Sequence, residues 1–303
     1  MSRQALLRLH RWITLVFAVP LAVLLITGLI LSFEPMVAGS APGTVTAQKL
    51  DELLVRHDPA GKARGVALRP YDGSLMLSGV RDQPIVIDFS TGAERADIGP
   101  LASLFGASRR LHEHLIFDLG WLVTASTIAM LALAVLGILM GWPRLNRSLS
   151  GWHKGIAWVA LPLVILSPLT GLALAFGITL SAGSPPAAGP AVPLREAVRM
   201  VTAAHDPSTL LWVRQRGKAQ LARIDVGGEH AVFAVGRDGL VPTARNWPRL
   251  IHEGNWAGAW SALVNVVTSV VLLGLLGTGL WIWARRQIRR RRSRVRVTTV
   301  AVA

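Results

Sequence analysis

The sequence predicts a membrane α-helical protein: a four-helix transmembrane bundle built by tandem duplication, carrying two small α+β domains outside the bilayer. Three observations carry this. Four stretches of the 303-residue chain, 13–33, 119–142, 156–176 and 257–283, each run for more than 20 residues without Lys, Arg, Asp or Glu. The basic residues gather beside the ends of these stretches. The second half of the chain repeats the landmark spacing of the first.

A hydrocarbon core about 30 Å thick is crossed by about 20 residues of helix, so each stretch is long enough to span it. The opening segment 1–33 holds the first. Arg3, Arg8 and Arg11 before it, and the small residues of 37–41 after it, would also suit a secretory signal. The apolar run is too long for a signal's core, which is about 7–15 residues, and it has a counterpart later in the chain, so it reads as a retained helix.

Segment 34–118 is an outer α+β domain. Thr46 is a cap for a helix with Leu50, Leu53 and Leu54 on one face, and strands follow at 66–69, 74–78 and 85–88, with Asp72-Gly73 and Thr91-Gly92 as turns. Span two, 119–142, leads to a short loop, 143–155, and span three, 156–176. Segment 177–256 repeats the outer pattern. A Pro/Gly/Ala-rich linker over 181–193 comes first, and Pro193 suits the first turn of a helix with Leu194, Ala197, Val198 and Val201 as its stripe. Strands follow at 210–215, 220–225 and 231–236, with turns at Gly227-Gly228 and Asp238-Gly239. Span four, 257–283, ends in a basic tail, 284–303.

The net charge of +15 resembles that of a nucleic-acid binder until it is mapped. Eight arginines lie between Arg285 and Arg296; Arg144, Arg147 and Lys154 lie between spans two and three; Arg3, Arg8 and Arg11 precede span one. Four crossings put all three groups on one side, the cytoplasmic side by the positive-inside rule, with both termini there. The expected contact is membrane lipid, with no nucleic acid.

The repeat is detailed. His10 and His153 each stand 17 residues before a Thr-Gly pair, Thr27-Gly28 and Thr170-Gly171, and 23 before Phe33 and Phe176. Leu111-His112-Glu113 precedes span two and Ile251-His252-Glu253 precedes span four; Gly137 and Gly277 follow 25 residues after each of these histidines, and Trp142 and Trp283 close the spans, with Arg144 and Arg285 beyond. Parallel repeats related by an axis along the membrane normal would bring His10 near His153 at one face and His112 near His252 at the other. Two facing imidazoles at each level are the axial ligands that two b-type haems need. A histidine at a span end also serves as an ordinary interfacial side chain. Zinc is a rival, kept open by Glu113 and Glu253, whose plainer role is pairing with Arg109, Arg110 or Arg249. His114 is a reserve ligand. His57 and His205 each end a helix before Asp-Pro, and they and His230 are not expected to bind metal. Gly28, Gly137, Gly171, Gly277 and Gly279 give clearance, for a porphyrin or for close helix packing.

The chain has no cysteine, which removes disulfides, iron–sulfur clusters, thiolate chemistry and covalent c-type haem. It has no dinucleotide fingerprint and no P-loop, so electrons would come from a quinol or a separate cytoplasmic reductase. The spans carry no ionisable residue to couple an ion, which weighs against a transporter.

These features resemble the PepSY-associated transmembrane family of bacterial inner-membrane proteins. The carriers are Leu9-His10-Arg11-Trp12 with Thr27-Gly28, the Leu111-His112-Glu113 approach, Gly-then-Trp-then-Arg at the ends of spans two and four, and the strand-Asp-x-x-Thr-Gly run over 86–92, which degrades to Val235-Gly236-Arg237-Asp238-Gly239 in the second half. The resemblance implies two PepSY-like periplasmic domains and a multi-pass location in the bacterial inner membrane. It also implies two haem b groups on His10, His153, His112 and His252, and reduction of a ferric siderophore outside the membrane. PepSY modules are also associated with binding or inhibiting a protease, which gives a non-catalytic alternative.

Overall fold

The computed structural model describes residues 2–39, 44–143, 146–181 and 192–300. Arg144, most of the expected 181–193 linker, residues 40 and 41 of the small-residue stretch, the arginine side chains beyond Arg290 and the last three residues lie outside the described part. The chain divides into two compact units, one of Met1–Leu29, Arg109–Phe176 and Val266–Ala303, the other of Ile30–Ser108 and Gly177–Asn265.

The first unit is helical. Helix α1 (Arg3–Val16) is capped by Ser2, whose hydroxyl accepts from the Ala5 N–H, and α2 (Ala18–Leu31) follows directly. After the short α3 (Glu34–Val37), the α4 helix (Ala47–His57), strands β1 to β4 and helix α5 (Pro100–His114), the chain returns as α6 (Gly120–Leu139), α7 (Leu149–Val159) and α8 (Leu161–Ala175). The last helix, α11 (Gly258–Val300), is 43 residues long. Three helical stretches, Ala18–Val37, Gly120–Leu139 and Gly258–Arg290, are long and apolar enough to cross a membrane; α7 and α8 make a fourth if taken as one span bent by 64°. Leu25, Ala134, Ala160, Val164 and Leu272 form the buried contact among α2, α6, α7, α8 and α11.

The expected boundaries shift for identifiable reasons. Spans 13–33 and 156–176 are not single straight helices: they break at Phe17 and Ala160, seven residues after His10 and His153 respectively. A proline lies just beyond each break, Pro20 and Pro162. Proline has no N–H for the helix ladder, and its ring clashes with the carbonyl four residues back, here Val16 and Trp158. His10 and His153 therefore ride on separate short helices, α1 and α7. The loop expected over 143–155 is already helical from Leu149, with Ser148 as its cap. Span four does not stop at 283, because arginine is a good helix former and α11 runs on into the basic tail.

The second unit is built on one sheet. Strands β1 (Gly65–Arg69), β2 (Ser74–Ser78), β3 (Ile85–Asp88) and β4 (Glu94–Arg95) come from the first copy. Strands β5 (Leu210–Arg216), β6 (Ala219–Val226), β7 (Glu229–Gly236) and β8 (Gly239–Pro242) come from the second, after helix α9 (Leu194–Ala204). The order is β4-β3-β2-β1-β5-β6-β7-β8, antiparallel throughout. Two separate outer domains were the expectation; β1 instead pairs with β5, Val66 opposite Val213, and the two copies share one sheet. An antiparallel meander buried on one face leaves edge strands open to pairing, and joining the copies closes one edge of each. Helix α10 (Trp247–Glu253) completes the unit.

The core lies between this sheet and the two helices. Leu50, Leu53 and Leu54 of α4 and Leu194, Ala197, Val198 and Val201 of α9 pack on Val66, Leu75, Leu77, Ile87, Val213, Ala222, Ile224 and Val235. The strands alternate as a sheet with one covered face must, with Gln220, Ala222 and Ile224 inward along β6. Thr46 caps α4 as the sequence implies, accepting from the Lys49 N–H at 3.1 Å. A charged clamp ties the two helices together. Each oxygen of Asp51 on α4 accepts from both Arg195 and Arg199 on α9, at 2.7–3.0 Å. Hydrogen bonds from Arg195, then Arg199, hold the Asp51 carboxyl far below the usual carboxylate range.

Two substitutions separate these contributions. Leu53→Ala, at a fully buried site, should lower unfolding stability by about 3 kcal/mol, and Asp51→Asn by about 1 kcal/mol, screened by its partial exposure. Denaturant unfolding of the detergent-solubilised protein, followed by circular dichroism, measures both. An equal or larger loss for Asp51→Asn would contradict this ranking.

Candidate functional site

His112 lies in the last turn of helix α5, and its half-buried imidazole lies against α2 within the helical unit. Its Nδ1 is 3.0 Å from the Thr27 hydroxyl and 3.1 Å from the Leu24 carbonyl. A carbonyl oxygen only accepts, and the Thr27 hydroxyl already donates to the Val23 carbonyl at 2.7 Å. Both partners therefore require a proton on Nδ1, which puts the ring's lone pair on Nε2. Beside it, Gly28 has no side chain to obstruct the ring: a methyl group there would lie 3.2 Å from Cε1 of His112.

His153 on α7 repeats this arrangement with different residues. Its Nδ1 is 2.8 Å from the Thr278 hydroxyl, which donates to the Gly274 carbonyl at 2.6 Å, so again Nδ1 carries the proton and Nε2 the lone pair. The neighbouring Gly279 would bring a methyl group 3.5 Å from Cε1 of His153. Each of these imidazoles thus rests on a Thr-Gly step of another helix. The step that holds His112, Thr27-Gly28, stands out in the repeat. The step that holds His153 does not, and Thr278 was missed. Its signal, a Thr-Gly dipeptide inside span four, is in the sequence, but 125 residues separate it from the histidine it meets.

His10 on α1 lies in the same helical unit as His153, and the charge of one imidazole bears on the other. His112 belongs to the helical unit and His252, on α10, to the sheet unit. The His252 carbonyl accepts from Asn265 Nδ2 at 2.8 Å, which fixes the end of α10. Thr170, the repeat partner of Thr27, is buried and donates to the Leu166 carbonyl at 2.8 Å.

The other titratable groups have local roles. Glu253 is held by Arg223 at 2.8 Å, Asn255 Nδ2 at 2.8 Å and Arg249 at 3.2 Å, the last as expected. His114 is exposed and pairs with Asp118 at 3.1 Å and Glu113 at 3.8 Å. His57 bonds the Gly92 carbonyl through Nε2 at 2.9 Å, and His205 ends α9 with its ring tilted against Phe233, 5.3 Å between centres. Among the described residues, no three His, Asp or Glu side chains converge as a metal-ion site. His230 is buried in β7. Desolvation, then the charge of Arg223, pushes its pKa from 6.5 to about 4. The Asp-x-x-Thr-Gly run forms a tight turn after β3. Asp88 Oδ1 accepts from the N–H and hydroxyl of both Ser90 and Thr91, and these bonds, the Ser90 hydroxyl first, hold its carboxyl down at about 2.

Because the folded chain resists protonating His230, stability should be full above pH 6.5 and fall as the pH drops from 6.5 to about 4. His230→Gln should flatten that limb by up to about 3 kcal/mol. Unfolding curves of both proteins at pH 4.5 and pH 7.5 measure it; parallel pH dependence would contradict the assignment.

Residues 7–286 match the family described as the PepSY-associated TM region. No curated protein matches the chain.

Proposed function

This chain belongs to the PepSY-associated transmembrane family, and from that membership we propose a b-type di-haem protein of the bacterial inner membrane that carries electrons outward to a ferric siderophore. His10 and His153 would hold one haem, and His112 and His252 the other. The observation that carries this reading is the state of His112 and His153. Both have Nδ1 committed as a donor and the lone pair on Nε2, the form in which imidazole binds a metal. That His10 and His153 lie in one helical unit, where the charge of one bears on the other, supports the first pair. Gly28 supports the fit, because a methyl group there would press within 3.2 Å of the His112 ring, whereas one at Gly279 would only touch the His153 ring at 3.5 Å.

When bound, haem iron supplies reversible one-electron chemistry at a potential set by its ligands and surroundings. The chain's own part is to position and to insulate. Thr27 and Thr278 fix ring rotation and tautomer, as an outer-shell acceptor does for a metal-bound histidine. The apolar helices keep water from the carriers. The basic residues Arg3, Arg8, Arg11, Lys154, Arg285 and Arg286 favour a cytoplasmic side for both termini and an outer side for the sheet unit. Electrons would enter from a quinol or a separate reductase and leave toward the siderophore-bound iron, releasing it as Fe(II).

Protein purified from haem-supplied cells should show a Soret band and an α-band on reduction, with two haems per chain. Ala at His112 or His252 should remove one haem, and Ala at His10 or His153 the other. Thr27→Val and Thr278→Val should weaken haem retention roughly 10–100-fold without unfolding the chain. A colourless protein would overturn the proposal and leave the non-catalytic, protease-binding reading of the sheet unit.

A further inference from the structure

The sheet unit as a whole is nearly neutral, but positive charge gathers locally beside β5, β6 and α10. On β5 and β6, Val213, Ala222 and Ile224 face the core, so Trp212, Arg214 and Arg223 project from the opposite face. The Arg214 guanidinium lies 4.0 Å from the centre of the Trp212 ring. Arg223 and Arg249 reach Glu253, which also takes Asn255 Nδ2. Arg216, Arg249 and Arg223 bear on Arg214 as like charges, and Glu253 acts on it with the opposite sign. Among the described residues, neither Arg214 nor Arg216 makes a salt bridge. The buried Nε of Arg223 has no acceptor. Arg223 and Arg249 share the one negative charge of Glu253 while Arg214 and Arg216 add two more positive charges on β5, and an added anion relieves the repulsion among them.

We infer that Arg214, Arg216 and Arg249, with Trp212 beside them, form a binding site for a small multivalent oxyanion. A guanidinium presents paired N–H donors that match carboxylate or phosphate oxygens two at a time, which a scattered set of lysines does not. The Trp212 ring, already engaged by Arg214, holds one fork in a fixed plane and gives the site a flat wall. Arg249 sits on α10, three residues before His252, so the anion is held against the helix that carries that histidine. This site stands on the sheet unit alone and does not require haem. The same forks accept a soluble polycarboxylate or a phosphate headgroup, and the experiment separates these sources.

The full chain, in nanodiscs of phosphatidylcholine alone, is titrated calorimetrically with citrate. The wild type should bind saturably, more weakly as salt rises. The exposed pair Arg214→Gln/Arg216→Gln should lose about tenfold or more in affinity. Arg214→Lys, which keeps the charge but not the fork, should fall between. An unchanged thermal melt shows the variants are folded. If citrate binds weakly but phosphatidylglycerol in the nanodisc is retained by the wild type and not by the double variant, the oxyanion is a headgroup. No saturable binding of either, or binding unaffected by the double substitution, overturns the inference.

Discussion

Hydrocarbon offers no hydrogen-bond partner, so every polar atom carried into the helical unit has to be met by the protein itself. The hydroxyls of Ser126, Thr127, Thr170 and Thr278 all turn back to the carbonyl one helical turn earlier. Once a threonine hydroxyl has donated its proton in this way, its oxygen can still accept. In two places that remaining capacity is used by an imidazole, His112 on Thr27 and His153 on Thr278. The tautomer of each histidine thus follows from a local backbone bond on another helix.

The sheet unit obeys a different constraint. Neither copy alone closes its first strand, and each leaves an edge that would seek a partner. The β1–β5 ladder answers this, and the Asp51 clamp joins the helices above the same seam. Duplication therefore left two recognisable copies but one core. The face away from α4 and α9 was then available for chemistry, and along β5 and β6 it carries Trp212, Arg214, Arg216 and Arg223.

Much of this could be read in the sequence. The six outer strands fall within two residues of their expected positions, because turns at Asp72-Gly73, Gly227-Gly228 and Asp238-Gly239 punctuate alternating apolar residues. The short strands β4 and β8 and the helices α5 and α10 were not legible. The two strands are too short to show a period, while α5 mixes Ser, Gly, Arg and His on a helix whose partners are distant in sequence. The breaks at Phe17 and Ala160 were signalled by Pro20 and Pro162, but hydropathy averages over such breaks.

The sequence by itself determined the four apolar stretches, the basic groups beside their ends, the repeated landmark spacing and the four histidines that recur within it. These are properties of composition and spacing, which need no knowledge of contacts. Only the tertiary structure decided that Thr278 rather than a repeat-matched threonine holds His153, that β1 pairs with β5, and that four arginines share one face. Each depends on which residues far apart along the chain come within a few ångströms of one another, and hydrogen bonds, strand pairing and charge repulsion act only at that range.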